Sequence, residues 1–424
     1  MKRVFLFFML AIPAVVVSAQ DKLRLSLEDA ISTALVNNYG QQILEVSRMS
    51  STEDLAQSKR DLLPDLNASL SHGISNQSNS GDYSVSASVT LWKGGQGLNA
   101  VRRSRIALNQ SDTKIAQAQN NLTINVIQAF LSVLMNEELY HYQSSVVDIS
   151  EEQMKQGEIK FNSGQILESD YLLLKSQYAS DKYSMTSSKI NRDNAILELK
   201  TLLSIDTSED IEVITPSDLS LSSLGLPTLQ ELIEQTLAWL PDIKITLQNI
   251  ELANIDAKIA KGGFFPTVSL SGSVGTGYNS INNGSWGSQF TGNNVNQIGV
   301  TISIPLWNKG KTRSNVKQND FQLRQAELEA KQTELDVRSS LEKEYLNVVS
   351  MQHKYLAAEE SNNAYEETFR VFSSQFEAGS VSTTELLQQQ NNYLSALNEF
   401  IQSKYSYLLN CKVLDVYMGK EIKI

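Results

Sequence analysis

YSVSASVTLW at positions 83–92 and IGVTISIPLW at 298–307 are one passage written twice. Apolar and polar residues alternate in both, and each closes on Leu-Trp. The match continues downstream at a single offset of 215 residues: Phe161 meets Phe376, Gly164 meets Gly379, Leu172 meets Leu387, and Asp170 is answered by Glu385. Upstream the offset falls to 202, with Leu27 facing Leu229 and Pro64 facing Pro266. The difference of 13 residues is an insertion in the second copy, between the counterparts of Pro64 and Tyr83. A self-match of this length marks a tandem duplication, and it sets the reading of everything between its ends.

Around the quoted passages the hydrophobic period is two. Leu66, Ala68 and Leu70 alternate with Asn67, Ser69 and Ser71; after a polar turn over 75–82, Tyr83, Val85, Ala87, Val89 and Leu91 form the apolar row. The second copy repeats it with Val268, Leu270, Gly272 and Val274, then Ile298, Val300, Ile302, Ile304 and Leu306. One apolar face against a Ser/Thr/Asn face suits a membrane barrel with a wet lumen, and equally a half-buried hairpin on a soluble core. Trp92, Trp307, Phe264 and Phe265 fall near strand ends, where aromatic rings sit at headgroup depth in a membrane. Four strands cannot close a barrel, which needs at least about eight, whereas three chains would supply twelve.

Beyond each hairpin the period becomes helical. Val126, Val133, Tyr140, Val147, Met154 and Phe161 recur every seventh residue, as do Leu341, Val348, Tyr355, Phe369 and Phe376, with Asn362 interrupting the second row. Sustained heptads predict coiled-coil packing, over about 97–160 and 312–375; some 64 residues would span roughly 95 Å. Gly164 and Gly379 then break the helices as C-caps, Ser169 and Thr383 are candidate N-caps, and returning helices run over about 169–203 and 384–418. The upstream part of each copy is helical too: Ser26 and Asp29 form a capping box, Asn37 to Gly40 break the first helix, and Pro64 closes the second.

The N-terminus reads as a secretory signal over 1–19, with Lys2 and Arg3, an apolar run and a Val17-Ser18-Ala19 cleavage site. No cysteine follows it, which excludes lipidation there, and the only cysteine is Cys411. The mature repeats are placed at 20–204 and 228–424, with a polar linker over 205–227 carrying a short strand near 211–214 and forming a belt at mid-height. A net charge of −11 without a basic tract argues against a nucleic-acid partner.

Chemistry finds little support. Gly310-Lys311-Thr312 ends like a phosphate loop, but Pro305 stands where that loop requires glycine. His72, His141 and His353 have no ligand-spaced partners, and no catalytic, metal or cofactor constellation is expected. The glutamate pairs 137–138, 151–152, 359–360 and 366–367 read as solvated helix faces.

Helix, β-hairpin, long helix, glycine tip and returning helix, duplicated, resemble the TolC family of outer-membrane efflux ducts. The match rests on Leu63-Pro64-Asp65-Leu66 with Phe265-Pro266, the two Leu-Trp passages, and the Phe-x-x-Gly tips. The resemblance implies a mainly α, mixed fold: a homotrimer with a 12-stranded outer-membrane barrel and a periplasmic α-helical tunnel. It implies a passive exit duct served by a periplasmic adaptor and an inner-membrane pump, with outer-membrane lipid around the barrel. Ser163, Gly164, Gln165, Ala378, Gly379 and Ser380 would face the adaptor. Asp170 and Glu385 match two acidic gate positions, and Gln388 stands where a further acid can occur. Phe376 and Val381 replace the family's tyrosine and arginine, so the latch is incomplete and closure leans on packing and hydrogen bonds. The competing reading is a secreted coiled-coil scaffold or adhesin, against which the aromatic-ended alternation weighs. Drug, metal and protein cargo stay open.

Overall fold

The computed structural model describes residues 23–214, 227–281 and 285–420. The signal segment 1–19 and linker residues 215–226 lie outside the described residues.

The sequence repeat is a structural repeat. The first copy runs α1 (Leu27–Asn37), α2 (Tyr39–Arg60), β2 (Asp65–Ile74), β3 (Asn79–Lys93), α3 (Gln96–Asn162) and α4 (Glu168–Leu203). The second runs α5 (Leu229–Trp239), α6 (Pro241–Gly262), β5 (Thr267–Asn279), α7 (Trp286–Gly292), β6 (Val295–Ser303), α8 (Lys311–Glu377) and α9 (Thr383–Tyr417). The 13-residue insertion is accounted for by α7 and its flanks, lodged between the strands of the second hairpin. Two three-residue strands, β1 (Leu23–Leu25) and β4 (Ile211–Val213), pair in parallel at the equator; β4 was expected from the linker, β1 was not.

Local chemistry fixes the element ends. The Asp29 carboxylate accepts the Ser26 N–H at 3.3 Å while the Ser26 hydroxyl accepts the Asp29 N–H at 3.1 Å, the box read from the sequence. Thr228 and Glu231 make the same box in copy two. Each satisfies amides that a helix start leaves without partners. Asn38 caps α2, its side chain accepting from the Gly40 N–H at 2.9 Å.

The sheet order is β2-β3-β5-β6, antiparallel throughout, so the hairpins of the two copies join edge to edge through β3 and β5. Three details differ from the sequence reading. The first turn is only Ser75–Ser78, closed by the Ser75 N–H on the Ser78 carbonyl at 2.8 Å, and the polar run Asn79–Asp82 belongs to β3. Strand β6 stops at Ser303 and Trp307 lies beyond it, because Pro305 brings no N–H to a ladder. Finally, the β3–β5 register slips between Thr90 and Trp92, so Trp92 faces Val268 and Leu91 is the extra residue. A bulge re-aims a side chain, and here it turns Trp92 onto the apolar face that strict alternation assigned to Leu91.

The rods α3 and α8 are each 67 residues long, about 100 Å at the helical rise. They fold back along α4 and α9 as antiparallel pairs, with α2 and α6 laid against their upper thirds. Of the heptad rows, Val126, Val133 and Val147 in α3 and Leu341, Val348, Phe369 and Phe376 in α8 are buried, while Tyr140, Met154, Phe161 and Tyr355 are half-buried. The main core gathers at the equator, where Leu27 and Ala30 of α1, Phe130 of α3, Leu199 of α4, Ile401 of α9 and Ile211 of β4 meet. Asn362, the interruption in the row, is buried as well.

Candidate functional site

No helix among the described residues is long and apolar enough to cross a membrane. The sheet carries the apolar surface instead. The register puts Leu66, Leu70, Val85, Val89, Leu270, Val274, Ile298 and Val300 on one face and Asn67, Ser86, Ser273 and Gln297 on the other. The apolar face is bare: Leu66 is 74%, Leu70 76%, Ile74 80% and Ile298 86% exposed. At its rod-side end stand three of the expected interface aromatics, Trp92, Phe264 and Phe265, with Trp92 edge-on to Phe265 at 5.9 Å. Trp307 follows β6 and is fully in the open.

At the far end of the rods the two glycine tips are built alike. Gly164 and Gly379 adopt φ of 73° and 76°, the left-handed region in which a side chain is disfavoured. Around each, a six-to-one bond closes the helix end: the Gln165 N–H donates to the Lys160 carbonyl at 2.8 Å, and the Ser380 N–H to the Gln375 carbonyl at 2.9 Å. These are Schellman closures, in which the positive φ turns the next N–H back onto the last helical turn. Ser163, Gln165, Ala378 and Ser380 are exposed beside the glycines.

The sequence profile of the outer membrane efflux protein family matches residues 30–204 and 232–420, one block per repeat. The chain belongs to that family.

Outer membrane protein TolC of Escherichia coli K12 is 21% identical over 355 residues, covering 80% of this chain and 69% of TolC. The pyoverdine export outer membrane protein OpmQ of Pseudomonas aeruginosa is 22% identical over 409 residues, covering 90% and 82%. Among solved structures, CusC superposes with a TM-score of 0.80 at 18% identity, covering 93% of this chain and 92% of that one. The fold, the outer-membrane location and the role of export duct follow from this membership, and the family is one of channels rather than enzymes.

In this efflux protein the gate candidates sit at the bases of the returning helices. Glu385 accepts the Ser382 N–H and hydroxyl, both at 2.8 Å, and Asp170 accepts the Leu167 N–H at 3.4 Å. Those bonds to Ser382 hold the Glu385 carboxyl below its ordinary value. The N-caps are thus Leu167 and Ser382, each one turn before its acid, rather than Ser169 and Thr383. A cap must precede the helical backbone, and Ser169 and Thr383 are already inside it. Gln388 is exposed and donates to Asn392 at 3.2 Å. Phe376 and Val381 pack into a tip cluster with Leu174, Phe369 and Leu386.

Sequence reasoning missed Lys160. Its ammonium donates to the Phe376 carbonyl at 2.8 Å and lies over the Phe376 ring at 4.4 Å, tying the first rod to the end of the second. The α8 helix has no basic residue in its own last turn, so Lys160 supplies the cation that a helix C-terminus favours. Glu138 was also misread as a solvated acid. It receives Lys404 at 2.9 Å and the Tyr405 hydroxyl at 2.7 Å, pinning α3 to α9. Burial and that hydrogen bond push the Tyr405 hydroxyl up, keeping it a donor. Glu137 is half-buried too and pairs with Arg192 of α4 at 3.7 Å, whereas Glu152, Glu360, Glu366 and Glu367 are exposed and Glu151 and Glu367 pair within their own helices, with Lys155 and Arg370.

Inside the hairpin of α3 and α4, Asp181 is 3% exposed; Gln177 donates to one carboxylate oxygen at 2.9 Å and the other has no partner in the structure. Burial raises this carboxyl, with the hydrogen bond from Gln177 opposing. The folded chain therefore holds that proton more tightly than the unfolded chain, and ionisation at neutral pH destabilises the fold. The penalty is full above the raised value and absent below the unfolded carboxyl's value of about 3.9. Asp181→Asn is expected to raise the melting temperature at pH 7, with the gain shrinking to nothing as the pH falls to about 3.5. Scanning fluorimetry of both proteins across pH checks this; an equal gain at every pH would remove the charge from the explanation.

Proposed function

We propose that this efflux protein works as a homotrimer whose three sheets close a 12-stranded barrel, continuous with a tunnel of twelve long helices. It passes small molecules outward without catalysis or cofactor, driven by an inner-membrane pump that reaches it through a periplasmic adaptor at the tips. One observation carries the reading: each outer strand, β2 and β6, has one ladder edge unpaired among the described residues, while the apolar face beside it is bare. Unpaired backbone groups are not tolerated in lipid, so an apolar sheet of four strands must find its closure in other copies. Sequential copies can pair β2 to β6 with every hairpin still antiparallel. The exposed residues at 163–165 and 378–380 are the free ends of the rods and suit docking of an adaptor.

Fractionation of cells expressing the protein tests the assembly. A trimer is expected in the outer-membrane fraction, extractable only with detergent and shifting to monomer on heating before electrophoresis. A soluble periplasmic monomer would overturn the reading and favour a coiled-coil scaffold.

A further inference from the structure

We infer that the junction between sheet and rods is a collar that binds the anionic headgroups of the periplasm-facing phospholipid leaflet. This rests on the barrel assembly proposed above and adds the chemistry of the lipid.

The first observation is charge. The segments 59–63, 93–105, 256–265 and 308–320, which flank the rod-side end of the sheet, hold twelve Lys and Arg against three Asp, in a chain of net charge −11. Three of those cations are paired: Arg60 with Glu53, Arg103 with Asp256 and Lys261 with Asp320. Among the described residues the other nine, including Lys59, Lys93, Lys309 and Lys311, form no ion pair with a carboxylate. A surface built for solubility intersperses both signs; this one does not.

The second observation is that the cations opening α8 sit where helix physics disfavours them, whereas Lys59, Arg60 and Lys261 occupy the last turns of α2 and α6, where it favours them. Helices α1, α4, α5 and α9 place acids in their first turns, but α3 and α8 place none, and α8 opens on Lys311 and Arg313. Positive charge at a helix N-terminus opposes the macrodipole. Lys309 also holds a left-handed φ of 57°, at the position Gly94 fills in copy one. The duplication kept charge at two places, Lys59 with Lys261 and Arg102 with Lys317. Local rules broken together at one level mark a functional constraint.

The third observation says what the charge meets. A groove of about 460 Å³ is lined by Leu62, Leu91, Trp92 and Leu98 with Lys93 and Gln96 at its polar side. Asp61 also lines it, held by Gln57 at 2.6 Å. Leu91 and Trp92 belong both to this groove and to the bare apolar face, so the groove opens where lipid tails end. An apolar slot continuous with the membrane surface, edged by the Lys93 ammonium and the Trp92 ring, fits an acyl chain with its phosphate, and the other unpaired cations of the collar add to the field around it. A free phosphate would use the lysines and leave the leucines unexplained.

The test uses the full-length protein in neutral detergent micelles. Binding of a fluorescent phosphatidylglycerol is compared with that of the phosphatidylcholine analogue, for the wild type and for a Lys93→Gln/Lys309→Gln/Lys311→Gln variant. The wild type is expected to prefer phosphatidylglycerol at least fivefold at 0.15 M salt, and to lose the preference at 1 M salt, where screening shortens to about 3 Å. The variant is expected to bind both lipids alike while still fractionating as a heat-modifiable outer-membrane oligomer. Equal binding by an assembled wild type, or a preference untouched by the three substitutions, would overturn the collar alone. A preference for the phosphates of lipid A over phosphatidylglycerol would overturn its assignment to the periplasmic leaflet. A wild type that never enters the membrane would overturn the assembly and the collar with it.

Discussion

Val85→Arg is expected to abolish insertion into the outer membrane, while Ser86→Arg, one residue along, leaves it intact. Val85 lies in the middle of β3 between Ala68 and Val274 on the apolar face; Ser86 lies between Asn67 and Ser273 on the other. In a strand a step of one residue crosses the sheet, so the two variants carry the same charge to opposite sides of one wall. An arginine facing lipid near the midplane costs about 2–4 kcal/mol, and the proposed trimer would meet that cost three times. That is comparable with the whole stability of an ordinary domain, about 5–15 kcal/mol. An arginine facing the lumen stays in water. Outer-membrane fractionation and heat-modifiable migration read the difference. Insertion of the Val85 variant with failure of the Ser86 variant would reverse the faces and with them the location of lipid.

How far the sequence reaches depends on the range of the interaction. The rods were legible to within two residues, because a heptad repeated through α3 and α8 is a long signal and the glycine at each end is a sharp one. The Ser26 and Asp29 box was legible because both partners lie within one turn. Strand ends were less so. Asn79–Asp82 looks like a turn by composition, yet it pairs with both β2 and β5, a long-range gain that overrides local preference. The bulge at Leu91 is invisible in one strand, since it exists only relative to β5. Strand β1 escaped notice because its three residues gain a partner only when Ile211 arrives from the other end of the copy.

The same reasoning sorts the candidate sites. The tips were placed by glycines, and the geometry there is what a glycine C-cap makes. The roles of Lys160 and Glu138 were hidden, because each acts across helices distant in sequence, on Phe376 and on Lys404 and Tyr405. Their only trace was a charged residue among many on a polar helix. For Asp170 and Glu385 the structure adds a local duty. Each acid closes a helix start, so a gate built on them would have to share carboxylates already engaged in capping.

A double Gly164→Val/Gly379→Val substitution is expected to reduce export at least tenfold while leaving the trimer assembled. An added Cβ at either glycine would meet nothing within 4 Å, so space is not the obstacle. The obstacle is φ, at 73° and 76°. A side chain there costs about 1–2 kcal/mol, more for a β-branched one, and the proposed trimer would have six tips. Relief requires the backbone to leave the left-handed region, which breaks the bonds from Gln165 to Lys160 and from Ser380 to Gln375. The rods then fray where Lys160 grips the Phe376 carbonyl, and the surface offered to an adaptor changes shape. The equatorial core around Phe130 lies about half a rod's length from the tips and the sheet a full rod's length, so assembly is untouched. Asparagine tolerates the left-handed region, so Gly164→Asn/Gly379→Asn should keep most of the export. Efflux measured in cells, beside heat-modifiable migration of each variant, separates the cases. Full export by the valine variant would remove the tips from the docking surface, and loss of export by both variants would point to side-chain bulk rather than backbone shape.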